Sequence, residues 1–316
     1  LEDMVWAADS RTIFYIRQDP QTLQSGPVYR HLRGTDPKDD VLVYDEPDKT
    51  LFTSVGHTAS REFIAIWVTG FATTELRTVP MAAPAAVPTL ALPRRAEVRS
   101  YADHLHGRWV IRTNDGARDF RLMQAAEGQL ADHANWTELV PARDGATIEA
   151  FALFSAALVV QERVDANARL RVLPWPAADA RDAFLVPADE PAFAMEIGTN
   201  LDPALPRLRY RYDSMVTPNS EFDVDLATGA RTLLKTRPVL GYDRAQYESA
   251  RLWAPSRDGK RIPVSIMWRK DCYLRDGTAP LYLQGYGAYG HSYDPQLPRE
   301  ALSLIDRGFA FATAHV

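Results

Sequence analysis

One cysteine, Cys272, stands in 316 residues. That excludes an intrachain disulfide and a cysteine-based metal site, and it makes a reducing cytosol the expected compartment. No apolar run reaches the ~18 residues that a membrane-spanning helix requires. The opening Leu1-Glu-Asp-Met-Val-Trp6 has neither a basic region nor an apolar core, so it does not read as a secretory signal. It also lacks an initiator Met, as an internal fragment of a longer protein would. A net charge of −5 lacks the basic excess of a nucleic-acid-binding surface. Gly-x-Ser-x-Gly, the nucleophile elbow of many serine hydrolases, occurs nowhere. No phosphate-binding loop or dinucleotide fingerprint is present either, because the glycines at 285, 287 and 290 lack the Lys and the helix start that would confirm one. What remains is an ordinary globular composition, 46% hydrophobic and 24% charged, long enough for about two domains.

Helical periodicity is scarce before about residue 296. Short runs of Val, Ile, Leu, Phe, Tyr and Trp alternate with clusters of Asp, Gly, Pro and Asn, which predicts an all-β region. A repeat is visible in these runs. Its units open with a polar turn and an apolar strand at Ala8–Ile16, Ala59–Trp67, His106–Arg112, Ala156–Glu162 and Pro206–Tyr212, and each is followed by two more strands. One sheet of about four strands cannot bury both its faces alone, so five such units predict β-propeller blades, with a β-sandwich as the alternative.

The repeat breaks at Leu240-Gly-Tyr-Asp243. Residues 1–240 are therefore expected to be propeller blades and 241–316 a second domain. There, Asp258-Gly259 marks a hairpin between two strands. A buried strand at Leu281–Gln284, a short helix within Pro298–Arg307 stopped at Gly308, and a strand at Phe309–Val316 read as a βαβ unit and hence a parallel sheet.

The run Gln284-Gly-Tyr-Gly-Ala-Tyr-Gly-His291 leaves that strand through a glycine-rich turn. Tyr286 there is placed to donate its phenol to a developing oxyanion, or else is a structural tyrosine. Asp294, beside Tyr293 and near Tyr289, is a candidate partner for a cationic side chain, or else an ordinary solvated acid. His104 and His106 share one side of a strand beside Asp103, but no third ligand stands at a recognisable spacing, so no metal site is expected. His31, His57 and His133 are isolated. His291 and His315 flank the βαβ unit without a recognisable serine partner. The sequon Asn135-Trp-Thr137 reads as chance.

Taken together, Tyr242-Asp-Arg-Ala-Gln-Tyr-Glu-Ser-Ala-Arg-Leu-Trp253, Asp258–Ser265, Gly285-Tyr-Gly-Ala-Tyr-Gly290 and Leu302–Phe309 resemble the oligopeptidase B group of the prolyl oligopeptidase family of serine peptidases. Arg209–Pro218 and Asp3–Trp6 extend the resemblance across the chain. It implies a propeller capping an α/β-hydrolase domain, of which this chain would hold about five of seven blades and the first hydrolase strands. The triad of Ser, Asp and His would lie beyond Val316, so the 316 residues alone would be inactive. The resemblance further implies cleavage of short basic peptides after Lys or Arg, with no cofactor, no nucleic acid and no membrane partner. Tyr286 matches its oxyanion-hole tyrosine. Asp294 matches an acid that binds a basic side chain of the substrate, and Gln296 stands where many relatives carry a second acid. A non-catalytic propeller used as an interaction module, or a family member of other specificity, is the alternative.

Overall fold

The computed structural model describes residues 3–176 and 180–316. The chain is mostly β and divides into two compact units, Leu1–Ala142 and Arg143–Val316. The first unit holds three four-stranded antiparallel sheets. These are β1 to β4 (Met4–Trp6, Thr12–Gln18, Ser25–Leu32, Val41–Tyr44), β5 to β8 (Phe52–His57, Phe63–Thr69, Thr74–Pro80, Thr89–Leu92) and β9 to β12 (Ser100–Leu105, Arg108–Thr113, Arg121–Ala126, Thr137–Val140). Each sheet pairs its strands in chain order.

Burial distinguishes blades from a sandwich. In a sandwich each sheet buries one face. Here β6 buries both. Ile64 and Ile66 pack with Val5, Phe14, Ile16 and Val28 of the first sheet, while Ala65 and Trp67 on the opposite face pack with Trp109 and Ile111 of the third. Each middle sheet therefore needs a neighbour on either side, as propeller blades do. A second regularity marks the repeat. The ladder slips by a bulge at the same place, between the third and fourth strands, at Val28/Tyr29, Leu76/Arg77 and Leu122/Met123. A bulge there bends the outer strand and adds local twist.

In the second unit, β13 to β16 (Ala146–Leu153, Ala157–Val164, Asn167–Pro174, Phe184–Leu185) and β17 to β20 (Phe193–Ile197, Arg207–Ser214, Ser220–Asp225, Arg231–Thr236) form two further blade-like sheets. A single parallel pair, Ala168 with Ala194, links them. The same bulge recurs between β19 and β20, at Glu221/Phe222. On β18, Leu208, Tyr210 and Tyr212 all face one core with Val159, Leu170 and Val224, the period-two pattern of a half-buried strand carried to full burial.

The last sheet runs β21 (Tyr247–Pro255), β22 (Arg261–Arg269), β24 (Ala310–Ala314), β23 (Leu281–Gly285). β21 and β22 form the expected hairpin, with Gly259 at φ +82 in its turn. β23 and β24 are parallel, in register from Leu281 with Ala310 to Gly285 with Ala314. The crossover includes α1 (Leu302–Ile305), whose Ile305 is buried with Met267 and Phe311, and Gly308 ends it at φ +91. The strand Leu281–Gln284 differs from expectation. It is an edge strand, and Leu281, Tyr282 and Leu283 are exposed rather than buried. An apolar run predicts burial only when sheet neighbours and a covering layer are both present, and among the described residues β23 has a single sheet neighbour.

Candidate active site

The turn that follows β23 is shaped by a close backbone approach. A Cβ added to Gly287 would lie 2.5 Å from the Val316 carbonyl oxygen, so only glycine fits there. Tyr289 and Gly290 then take positive φ, +58 and +70, and the His291 N–H donates to the Ala288 carbonyl at 3.0 Å. The turn sits at the C-terminal end of a parallel strand, where open α/β sheets place their sites. Tyr286 leaves it partly exposed, its ring 5.7 Å from that of Tyr293 and 6.1 Å from that of His291. Its hydroxyl makes no hydrogen bond among the described residues.

Beneath the turn lies a serine–histidine pair. Ser265 on β22 is fully buried and its Oγ is 2.7 Å from His315 Nε2, while His315 Nδ1 is 2.7 Å from the Tyr293 carbonyl oxygen. A carbonyl only accepts, so Nδ1 carries the proton and Nε2 accepts from the serine hydroxyl. Burial pulls the imidazole down to about 4. The charges of Arg251 and Arg163 add to this, while the Tyr293 carbonyl and Asp294 oppose it. The ring is therefore neutral at pH 7. The tautomer is that of a nucleophile–base pair, but Ser265 has no surface to offer a substrate. The pair instead anchors Tyr293, and through its ring supports Tyr286. A fluorophosphonate probe is accordingly expected to leave the 316-residue chain unlabelled. Mass spectrometry of the treated chain checks this, and a stoichiometric adduct at Ser265 would make the pair catalytic. The serine eluded sequence reading because β22 and β24 are brought together only by the sheet, which sets Ser265 opposite Thr313.

Asp294 and Gln296 line one cavity of about 370 Å³, together with Gln161, Glu196, Arg211 and Asp213. The loop is tied down there by the Leu297 N–H, which donates to Asp213 Oδ1 at 3.2 Å. Burial pushes the Asp213 carboxyl up to about 6, against that N–H and Asn219. Asp294 already has a cationic partner. Arg163 on β14 places Nη1 2.6 Å from its Oδ1 and Nε 2.5 Å from Glu149 Oε1. One guanidinium thus bridges two carboxylates, and neither Arg163 nor Glu149 carried a signal in the sequence. His31 pairs with Asp40, His57 with the Thr58 carbonyl, and His133 stacks on Trp136. His104 lies on β9, but His106 follows the strand in a turn at φ +55, so the two imidazoles do not share a strand face.

The model of the prolyl oligopeptidase N-terminal β-propeller domain matches residues 1–237. Dipeptidyl aminopeptidase BI of Pseudoxanthomonas mexicana is 42% identical, over 99% of this chain and 43% of its own length. Protease 2 of Moraxella lacunata is 27% identical, over 99% of this chain and 44% of its own. The solved structure of oligopeptidase B from Leishmania major superposes with a TM-score of 0.88 at 30% identity, covering 99% of this chain and 45% of that one. The chain thus spans less than half the length of these relatives. Its β-rich N-terminal part is of the propeller type seen in oligopeptidase B, and the chain belongs to the prolyl oligopeptidase family.

Proposed function

We propose that this chain works as part of a serine oligopeptidase, with the blades filtering substrates by size and residues 241–316 opening an α/β-hydrolase domain. The nucleophile and base would be supplied outside these 316 residues. A serine would attack the scissile carbonyl with histidine as base, and Tyr286 with a backbone N–H would hold the oxyanion of the tetrahedral intermediate. One observation supports this above the others. A tyrosine with no hydrogen-bond partner among the described residues is held at the end of a parallel strand by a turn that only glycine can make. Short peptides cut after Lys or Arg are the proposed substrates and a cytosolic location the proposed compartment, with no cofactor required.

Asp294 is proposed to read a basic side chain beside the scissile residue. A substrate guanidinium would displace Arg163 from Asp294, and Glu149 would retain Arg163. In an enzyme that carries this chain and a triad, Asp294→Ala should lower kcat/KM for Arg-Arg peptides roughly five- to tenfold more than for Ala-Arg peptides, since a partly exposed pair is worth about 1 kcal/mol. Added salt should shrink the difference, and Gln296→Asp should widen it. Equal losses on both peptides would leave Asp294 a loop-positioning residue.

A second reading rests on the relative with 42% identity, which is named a dipeptidyl aminopeptidase. On that reading the enzyme would require a free amino terminus two residues before the cut. Acylating the N-terminus of an Ala-Arg substrate separates the two: cleavage persists in an oligopeptidase and stops in a dipeptidyl aminopeptidase.

A further inference from the structure

In the Leu1–Ala142 unit, three side chains distant in sequence converge. Glu62 precedes β6, His104 lies on β9 and Glu127 follows β11, and their ligand atoms all fall within 4.8 Å of one another. His104 is fully buried, and its Nε2 has no hydrogen-bond partner. A buried polar atom left unpaired is costly, so an orphan aimed at two carboxylates requires an explanation.

The other ring nitrogen is already held. His104 Nδ1 lies 2.9 Å from Ser60 Oγ, which in turn lies 3.0 Å from Thr58 Oγ1. A hydroxyl accepts as well as donates, so the ring is able to carry its proton on Nδ1 and present Nε2 as a lone pair. The ring cannot swing away, because Phe63 stands edge-on at 5.1 Å and Trp109 lies at 4.9 Å. A histidine held in one tautomer by a second-shell partner is the arrangement metal sites use.

We propose that Glu62, His104 and Glu127 bind one divalent metal ion of the zinc class, with water completing the shell. Glu127 Oε2 lies 3.8 Å from His104 Nε2, a gap bridged by an ion roughly 2.0–2.2 Å from each. Both carboxylate ends reach the surface, where they are free to close on an ion. One imidazole nitrogen and two carboxylates suit Zn²⁺ or Co²⁺ better than Ca²⁺ or Mg²⁺, which favour all-oxygen shells. The ion would clamp the turn of the second sheet to one end of the third, where β9 and β11 both finish beside the start of β10. Neither glutamate stands near His104 in the chain, which is why no ligand spacing showed in the sequence.

Untagged, chelator-stripped chain titrated calorimetrically with Zn²⁺ tests the site. The expected result is one tight equivalent per chain, a raised thermal midpoint, and visible absorption of four-coordinate type when Co²⁺ is the probe. Glu62→Gln and Glu127→Gln should each weaken Zn²⁺ by about tenfold or more, and together they should abolish the tight equivalent. Both residues are exposed, so circular dichroism should show the fold intact. Absence of a stoichiometric equivalent, an equivalent that the double variant retains, or tighter binding of Ca²⁺ than of Zn²⁺ would each overturn the proposal.

Discussion

Tyr286→Phe, in an enzyme that carries this chain together with a triad, is expected to lower kcat by roughly 10²–10³ with no loss of stability. The structure separates the two functions of the residue. Its ring contacts with Tyr293 and His291 are kept by phenylalanine, and its hydroxyl holds nothing together within the described residues. The thermal midpoint should therefore not move. Chemistry should move, because an oxyanion donor acts where negative charge develops, and removing one costs about 3–4 kcal/mol. The fall should appear in kcat with little change in KM, since a donor aimed at the tetrahedral oxygen contacts the ground-state carbonyl less well. Pre-steady-state measurement of acylation checks this directly. An unchanged acylation rate would reduce Tyr286 to a packing residue of the turn.

Much of the fold was legible because its signals are local. The strand Leu208–Tyr212 alternates with a period of two, Phe63–Trp67 is apolar throughout, Asp258-Gly259 turns a hairpin, and Gly308 ends a helix at positive φ. Each is decided by backbone sterics within a few residues. The strand that precedes these in each blade, such as β1, β5 and β9, was not legible. Met4–Trp6 is too short to show alternation, and Phe52–His57 and Ser100–Leu105 mix polar and apolar residues because neighbouring sheets, not the strand itself, decide what is buried. Leu281–Leu283 is the reverse case: the residues are apolar, but among the described residues the strand has a single sheet neighbour and is exposed.

The site divides along the same line. Tyr286 and Asp294 were picked out by their neighbours in the chain and by family resemblance. What surrounds them came only from the structure. Arg163 reaches Asp294 across 131 positions, and Ser265 reaches His315 across 50. No periodicity carries such pairings. They arise where a loop descends on a blade, or where a crossover returns a strand to its sheet.

Glu162→Ala is expected to destabilise the Arg143–Val316 unit by about 3–5 kcal/mol, the cost of stripping the anion from a buried ionic cluster. Glu162 on β14 is fully buried. Its carboxylate accepts from Arg143 Nη2 at 2.6 Å, from Arg169 Nε at 3.0 Å and from Arg171 Nε at 3.2 Å. Burial alone would push this carboxyl up. The charge of Arg171 and the hydrogen bond and charge of Arg143 outweigh it and hold the group below the ordinary glutamate range. Alanine would leave three guanidiniums crowded around a cavity. Arg143, with its side chain 44% exposed, can turn to water, but Arg171, at 13%, cannot. The double variant Glu162→Ala/Arg171→Ala should therefore recover part of the loss, a coupling that a double-mutant cycle reads directly. A pH dependence follows with a definite sign. Because the folded carboxyl is the stronger acid, its contribution is fully present above the unfolded value of about 4.3 and is lost as pH falls through the depressed folded value. Hydrogen exchange at the amides of β14 and β15 isolates this unit from the other. A loss under about 1 kcal/mol there, the scale of an exposed ion pair, would mean that water reaches the cluster and that Glu162 is solvated in spite of its burial.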